Sequence, residues 1–258
     1  MRVTALAIAA VLTLAACSSS SKSSSSSTTT TSTHTLNVFG AASLTGAFTA
    51  LGKTFEAAHP GTKVNFDFDS STILSQQIED NPGKADVFAS ADEKNMQKLQ
   101  TAGVVTGTPT VFAKNQMEIA VESGNPKHIT TVAGLAAPSL TVVLCASEAP
   151  CGKYADQLLA QDDVKVTPKS RELNATSTLE KVSSGDADAA IVYVTDVKGA
   201  GSDVAGVVIP TSQNVVATLP IAALKNSKNA TLANEWVSFL TSSASEKTLQ
   251  QQFGFLAP

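Results

Sequence analysis

The stretch "VFGAASLTGAF", Val38 to Phe48, decides the fold class. An apolar strand ends at Phe39 and a helical pattern begins near Leu44. The joint between them, Gly40, Ala41, Ala42 and Ser43, is small and carries no charge. Strand, small polar joint and helix in succession are the unit of an α/β protein whose ligands sit beyond the strand ends.

Outward from this unit the alternation continues. Leu44, Phe48, Leu51 and Phe55 keep helical spacing up to His59-Pro60-Gly61. Val64, Phe66 and Phe68 alternate with polar residues as a strand does. Ser70-Ser71-Thr72 precedes a second helix, Ala85 to Ala89 reads as a third strand, and a helix follows from Asp92 to Gln100. In the second half, Met117 to Val121, Leu140 to Leu144 and Ala189 to Val194 read as strands. Thr130 to Leu135, Pro150 to Gln161 and Ala175 to Val182 read as helices, the last with Ser177 and Glu180 at capping-box spacing. Val215 to Leu224 is extended, and two helices close the chain, around Trp236 and Leu249. The alternation implies parallel sheets covered on both faces. The expected architecture is α/β with two lobes and a ligand cleft between them. Lobe 1 spans 34–111 and is completed by 218–258; lobe 2 spans 112–217.

The N-terminus reads as export machinery. Arg2 precedes an apolar run from Ala5 to Ala16, too short to span a bilayer. Residues 1–16 are expected to be a lipoprotein signal peptide, because Leu14-Ala15-Ala16-Cys17 has the form of a bacterial lipobox that lipidates Cys17. Residues 17–33 follow as a tether, all Ser and Thr after Cys17 except Lys22 and without an apolar side chain to bury. As a flexible coil it reaches roughly 20–25 Å. The expected location is the outer face of the bacterial cell membrane.

Composition narrows the partners. A net charge of −4 and a pI near 5.4 leave no basic footprint for nucleic acid. Long-range attraction of an anion is equally unsupported, so an anion site has to work through local dipoles. Cys145 and Cys151, six residues apart in an exported chain, are expected to pair as a disulfide, with two free thiols as the alternative. There is no CxxC, His cluster or HExxH, which argues against a structural zinc site, and no cofactor is expected.

Four strand-to-helix joints share one chemistry: Ala42-Ser43-Leu44, Ser70-Ser71-Thr72, Pro150-Cys151-Gly152 and Asn174-Ala175-Thr176. None has Arg, Lys or His at its centre. Taken singly, each is an ordinary helix cap. Taken together, they offer free N–H groups at helix starts, a donor set suited to a fully ionised oxyanion. Six or seven charge-assisted bonds of roughly 1.5–3 kcal/mol, less the cost of closure, allow micromolar or tighter affinity. Phosphate, partly protonated at neutral pH, also needs an acceptor. Asp69 is the sole acid beside a joint, and at a strand end it is expected to point away, which counts against phosphate.

Several motifs resemble those of the molybdate-binding proteins of ABC transporters: "NVFGAASLTGAF", "FDSSTILSQQIEDNPGKADVFASADEKNM", "PCGKYADQ" and "DADAAIVYVTDV". They occur in the family's order, and the resemblance runs from Leu36 to Phe255. It implies a two-lobed, periplasmic-binding-protein-like (type II) fold that holds molybdate or tungstate without positive side chains. Carried over by position, Ser43 and Ser71 donate hydroxyl and backbone N–H, Cys151 and Ala175 donate backbone N–H, and Tyr193 donates its phenol. Asn174 shapes the last loop. Cys151 stands where the family often has alanine, and Ala175 where it has a larger apolar residue. Neither brings a carboxylate, so a four-coordinate anion is expected. The resemblance further implies a permease and an ATPase as partners, a monomeric chain and no catalysis. Another tetrahedral oxyanion such as sulfate is the nearest alternative. A serine hydrolase using Ser43 or Ser71 is remote, because GxSxG is lacking and His34, His59 and His128 have no evident route to a serine.

Overall fold

The protein is described here from a computed structural model covering residues 34–258. The signal peptide, Cys17 and the tether lie outside the described residues.

Strand β1 (His34–Ala41) leads through a 3-10 turn (Ala42–Leu44) into helix α1 (Thr45–Ala58). Helix α1 buries Ala47, Phe48, Leu51 and Phe55, the stripe that 3.6-residue periodicity demands. Then come β2 (Thr62–Asp69), α2 (Ser71–Asp80), β3 (Val87–Ala89), α3 (Glu93–Thr101) and the long β4 (Thr110–Glu122). The second half runs β5 (Val142–Cys145), α4 (Pro150–Gln161), β6 (Ser170–Glu172), α5 (Ala175–Ser183), β7 (Ala189–Tyr193), α6 (Val194–Ala200) and β8 (Val204–Val208). Finally β9 (Val216–Ala223), α7 (Ala230–Leu240) and α8 (Ser243–Thr248) return the chain, and a π-helical segment (Leu249–Phe253) follows.

The strands lie in the order β2-β1-β3-β9-β4-β7-β5-β6, with β8 also on β4. Strand β4 serves two sheets. Its first half, Thr110 to Gln116, pairs with β9; its second half, Met117 to Glu122, pairs with β7 and β8. The two sheets are the bodies of a two-lobed α/β fold.

The expected parallel sheets are mixed. Pairs β1–β2, β1–β3, β5–β6 and β5–β7 are parallel, but β9 runs antiparallel to β3 and β4, and β4 antiparallel to β7 and β8. Strand β4 runs on from the first sheet into the second, while β9 pairs within the first sheet, with β3 and with the first half of β4. Strand β6, helix α6 and strand β8 had no separate expectation in the sequence. The capping box of α5 also lies one turn earlier than its spacing suggested. Asn174 Oδ1 accepts from the Ser177 N–H at 2.9 Å, and Ser177 Oγ accepts from the Asn174 N–H at 3.3 Å.

Aromatic packing fastens the C-terminal return to the first half. Trp236 of α7 meets Phe48 and Phe55 of α1 edge-on, with ring centroids 5.7 and 5.2 Å apart. Phe66 and Phe239 complete the cluster. Such pairs add about 0.5–1.5 kcal/mol each beyond area burial. Phe48 is fully buried, so Phe48→Ala is expected to destabilise the protein by about 3–5 kcal/mol in urea unfolding. A loss below about 1 kcal/mol would show that this cluster does not hold the return in place.

Candidate anion site

The site is a consequence of strand register. In the β1–β2 pair, Ala41 stands opposite Asp69, so the two parallel strands end level. Their following residues, Ala42-Ser43 and Ser70-Ser71, therefore emerge side by side. The second sheet repeats this. Cys145 of β5 stands opposite Glu172 of β6, and Tyr193 ends β7, which runs parallel to β5. All five joints lie beyond the C-terminal ends of parallel strands, where helix N-termini converge.

Ser43, Ser71, Cys151, Ala175 and Tyr193 line one cavity, together with Asp69, Ser70, Ala91 and Asn174. It is small: a volume of about 10 Å³ is open to the centre of a water-sized sphere. That is space for one small group at the centre of the lining. No Arg, Lys or His lines it. Among the described residues no three His, Cys, Asp or Glu gather to hold a metal cation.

The cavity wall carries unused donors. Three buried side-chain polar atoms among the described residues have no hydrogen-bond partner in the protein: Ser43 Oγ, Tyr193 Oη and Trp236 Nε1. The tryptophan sits in the aromatic cluster, but both hydroxyls belong to this cavity. Leaving a buried hydroxyl unpaired costs roughly 1–3 kcal/mol, so such groups point to a bound partner. Ser71 Oγ accepts from the Ala91 N–H at 3.0 Å, which leaves its own proton to donate. The N–H groups of Ser71, Cys151 and Ala175 lie in the first turns of α2, α4 and α5, where no intrahelical acceptor exists. Burial holds the Tyr193 phenol well above its usual range, with Tyr154, Asp196 and Asp92 adding to the effect, so it is a neutral donor. Donors thus come from both sheets, and a group that only accepts satisfies them.

Local chemistry fixes each donor. A disulfide joins Cys145, the last residue of β5, to Cys151, with Cα atoms 5.8 Å apart. Helix α4 starts close against that strand end. A Cβ on Gly152 would stand 2.1 Å from the Ala146 carbonyl oxygen and 2.7 Å from that of Cys145, so only glycine fits. Beneath Ser43, Thr195 Oγ donates to the Ser43 carbonyl at 3.4 Å and accepts from Asn115 Nδ2 at 2.8 Å.

Two features were not legible in the sequence. Asp69, expected to point away, lines the cavity. Its Oδ1 accepts from the Ser70 N–H at 2.7 Å and from Asn174 Nδ2, across the cleft, at 2.8 Å. An acid therefore stands at the wall, contrary to the expectation, with its Oδ1 already taken up by these two donors. Asp196 is the second feature. Its Oδ2 accepts from the Tyr193 N–H at 3.0 Å, and it faces an apolar crevice on the far side of Ser43. Burial pushes its carboxyl up to about 7, against the lowering effect of that N–H. No local sequence signal marks either residue, because the partners come from other elements or from a turn whose burial is tertiary.

The raised Asp196 pKa makes stability depend on pH. The folded protein keeps this proton up to about pH 7, whereas the unfolded chain releases it near pH 4. Its contribution is full below about pH 4 and is lost as pH rises to about 7. Asp196→Asn, which keeps an acceptor for the Tyr193 N–H, is expected to flatten that decline. Urea unfolding of both proteins at about pH 5 and about pH 8 measures it, and an equal decline in the variant would assign it to other groups.

Comparison with known proteins places the chain. Residues 36–256 match the family of bacterial extracellular solute-binding proteins. The molybdate-binding protein ModA of Mycobacterium tuberculosis is 41% identical over 221 residues, covering 86% of this chain and 84% of its own. Among solved structures, the periplasmic molybdate-binding protein of Azotobacter vinelandii superposes with a TM-score of 0.76 at 19% identity, over 86% of this chain and 99% of its own. The sulfate-binding protein SubI of Mycobacterium tuberculosis does so with 0.73 at 20% identity, over 86% of each chain. These two show a shared fold. The chain belongs to the bacterial extracellular solute-binding protein family, as a two-lobed binding protein related to the molybdate-binding proteins and not an enzyme.

Proposed function

We propose that this protein captures molybdate, and tungstate with it, outside the cytoplasm and delivers it to an ABC permease served by an ATPase. The observation that carries the reading is the pair of buried, partnerless hydroxyls, Ser43 Oγ and Tyr193 Oη, on a wall without Arg, Lys or His around space for one small ion. The 41% identity to a molybdate-binding protein supports the choice of anion.

In this reading Ser43 and Ser71 give hydroxyl and backbone N–H, Cys151 and Ala175 give backbone N–H, and Tyr193 gives its phenol. The anion is bound as the four-coordinate dianion. Dipoles suit this task better than a lysine or arginine. A mobile cation would hold any anion, while fixed N–H and O–H groups demand the right radius. Sulfate is smaller, and a rigid donor ring cannot contract onto it without losing bonds. Lobe 1 comprises 34–111 and 218–258, lobe 2 comprises 112–217, and their closure presents the loaded protein to the permease. Lipidation at Cys17 and the Ser/Thr tether keep a monomeric carrier at the membrane face.

The test is calorimetric titration with molybdate, tungstate, sulfate and phosphate. Tight one-to-one binding of the first two, with the others far weaker, is expected. No heat with any of the four would refute the reading. Ser43→Ala and Tyr193→Phe should each weaken molybdate binding by about 1–3 kcal/mol. The same substitutions remove an unpaired buried hydroxyl, so the anion-free variants should melt no lower than the parent. Lower melting with unchanged affinity would assign both hydroxyls to structure instead.

A further inference from the structure

The two walls of the cavity belong to different sheets. Ser43, Asp69, Ser70 and Ser71 end or follow β1 and β2, whereas Cys151, Asn174, Ala175 and Tyr193 end or follow β5, β6 and β7. A donor ring split in this way has no width of its own. Its width is whatever the contacts across the cleft impose.

Besides the long Thr195 Oγ bond to the Ser43 carbonyl at 3.4 Å, three side-chain contacts cross the cleft near the anion site. Thr72 Oγ donates to the Glu148 carbonyl at 2.7 Å, at an exposed position. Lys153 Nζ stands 3.5 Å from Asp92 Oδ2, with nearly half of the lysine side chain exposed. The third is Asn174 Nδ2 donating to Asp69 Oδ1 at 2.8 Å, and it is the one whose two side chains both line the cavity. Both ends are stiffly mounted. Asp69 Oδ1 also accepts the Ser70 N–H, so the carboxylate is tied to the joint that carries Ser71. Asn174 Oδ1 caps α5 through the Ser177 N–H, so the amide is tied to the joint that carries Ala175. A hydrogen bond at 2.8 Å is already at contact distance. It holds the walls together and, equally, stops them from coming closer.

We infer that the Asp69–Asn174 hydrogen bond is the width stop of the anion site, and that these two positioning residues set its preference for a larger over a smaller tetrahedral oxyanion. The inference rests on the proposed oxyanion function. A smaller anion could regain its full set of donors only if the walls moved inward, and the paired side chains block that movement. Truncating either one removes the stop. The site then closes further on the smaller anion and holds the larger one less well.

The experiment is titration of the full chain with molybdate and with sulfate, in the parent and in three variants. Asn174→Ser keeps a helix-capping oxygen but removes the Nδ2 donor. Asp69→Ala removes the acceptor. Asp69→Asn keeps an acceptor oxygen of equal reach while deleting the charge. The molybdate-to-sulfate affinity ratio is expected to fall about tenfold in Asn174→Ser and in Asp69→Ala. Asp69→Asn should keep the parent ratio and tighten both anions alike, since a lost negative charge favours every anion. A merely structural role for the pair would weaken both anions together and leave the ratio within roughly twofold, which would overturn the inference. A parent protein that binds neither anion would instead remove the oxyanion reading itself.

Discussion

The level ending of parallel strands is the constraint on which this protein depends. Because Ala41 pairs with Asp69 and Cys145 with Glu172, each sheet delivers its next residues to one plane. A slip of register would carry one joint away from its neighbour and invert the strand's buried face. Side chains packed on both faces, as in Ala189 to Tyr193, hold each strand in place, since every residue there is enclosed. The chemistry of the site is thus held by hydrophobic packing some distance from it.

That framework explains how a site can favour negative charge without a cation. Helix first turns supply N–H groups with no acceptor of their own, and small residues let a ligand approach them. The framework also keeps two hydroxyls, Ser43 Oγ and Tyr193 Oη, buried and unpaired. Holding them so works against stability, and the arrangement persists because the surrounding core over-determines it. The Cys145–Cys151 disulfide and the tight seat of Gly152 serve the same end at the α4 joint. The result is a small cavity whose donors are each fixed at a strand end or helix start.

Charge within the wall is handled by pairing rather than exclusion. Asp69 lies beside a site proposed for a dianion, yet its Oδ1 is taken up by a backbone N–H and by Asn174. Asp196, behind Tyr193, is held toward its neutral form by burial. Both carboxyl groups act on the donors rather than on the ligand. Asp69 joins the two walls and Asp196 anchors the Tyr193 backbone.

The sequence by itself determined the alternation of strand and helix, the four uncharged joints and the donors they offer. These are local properties: apolar spacing, capping residues and small side chains lie within a few positions of one another. The same is true of the cysteine pair, six residues apart. Only the tertiary structure decided the antiparallel pairing of β9 and the passage of β4 between sheets, because strand direction depends on partners far along the chain. It alone turned Asp69 into the cavity and set Asn174 against it, 105 residues away. It alone raised the Asp196 carboxyl, since burial comes from elements that meet only in the folded molecule. Local pattern names the donors; the distance between them is a property of packing.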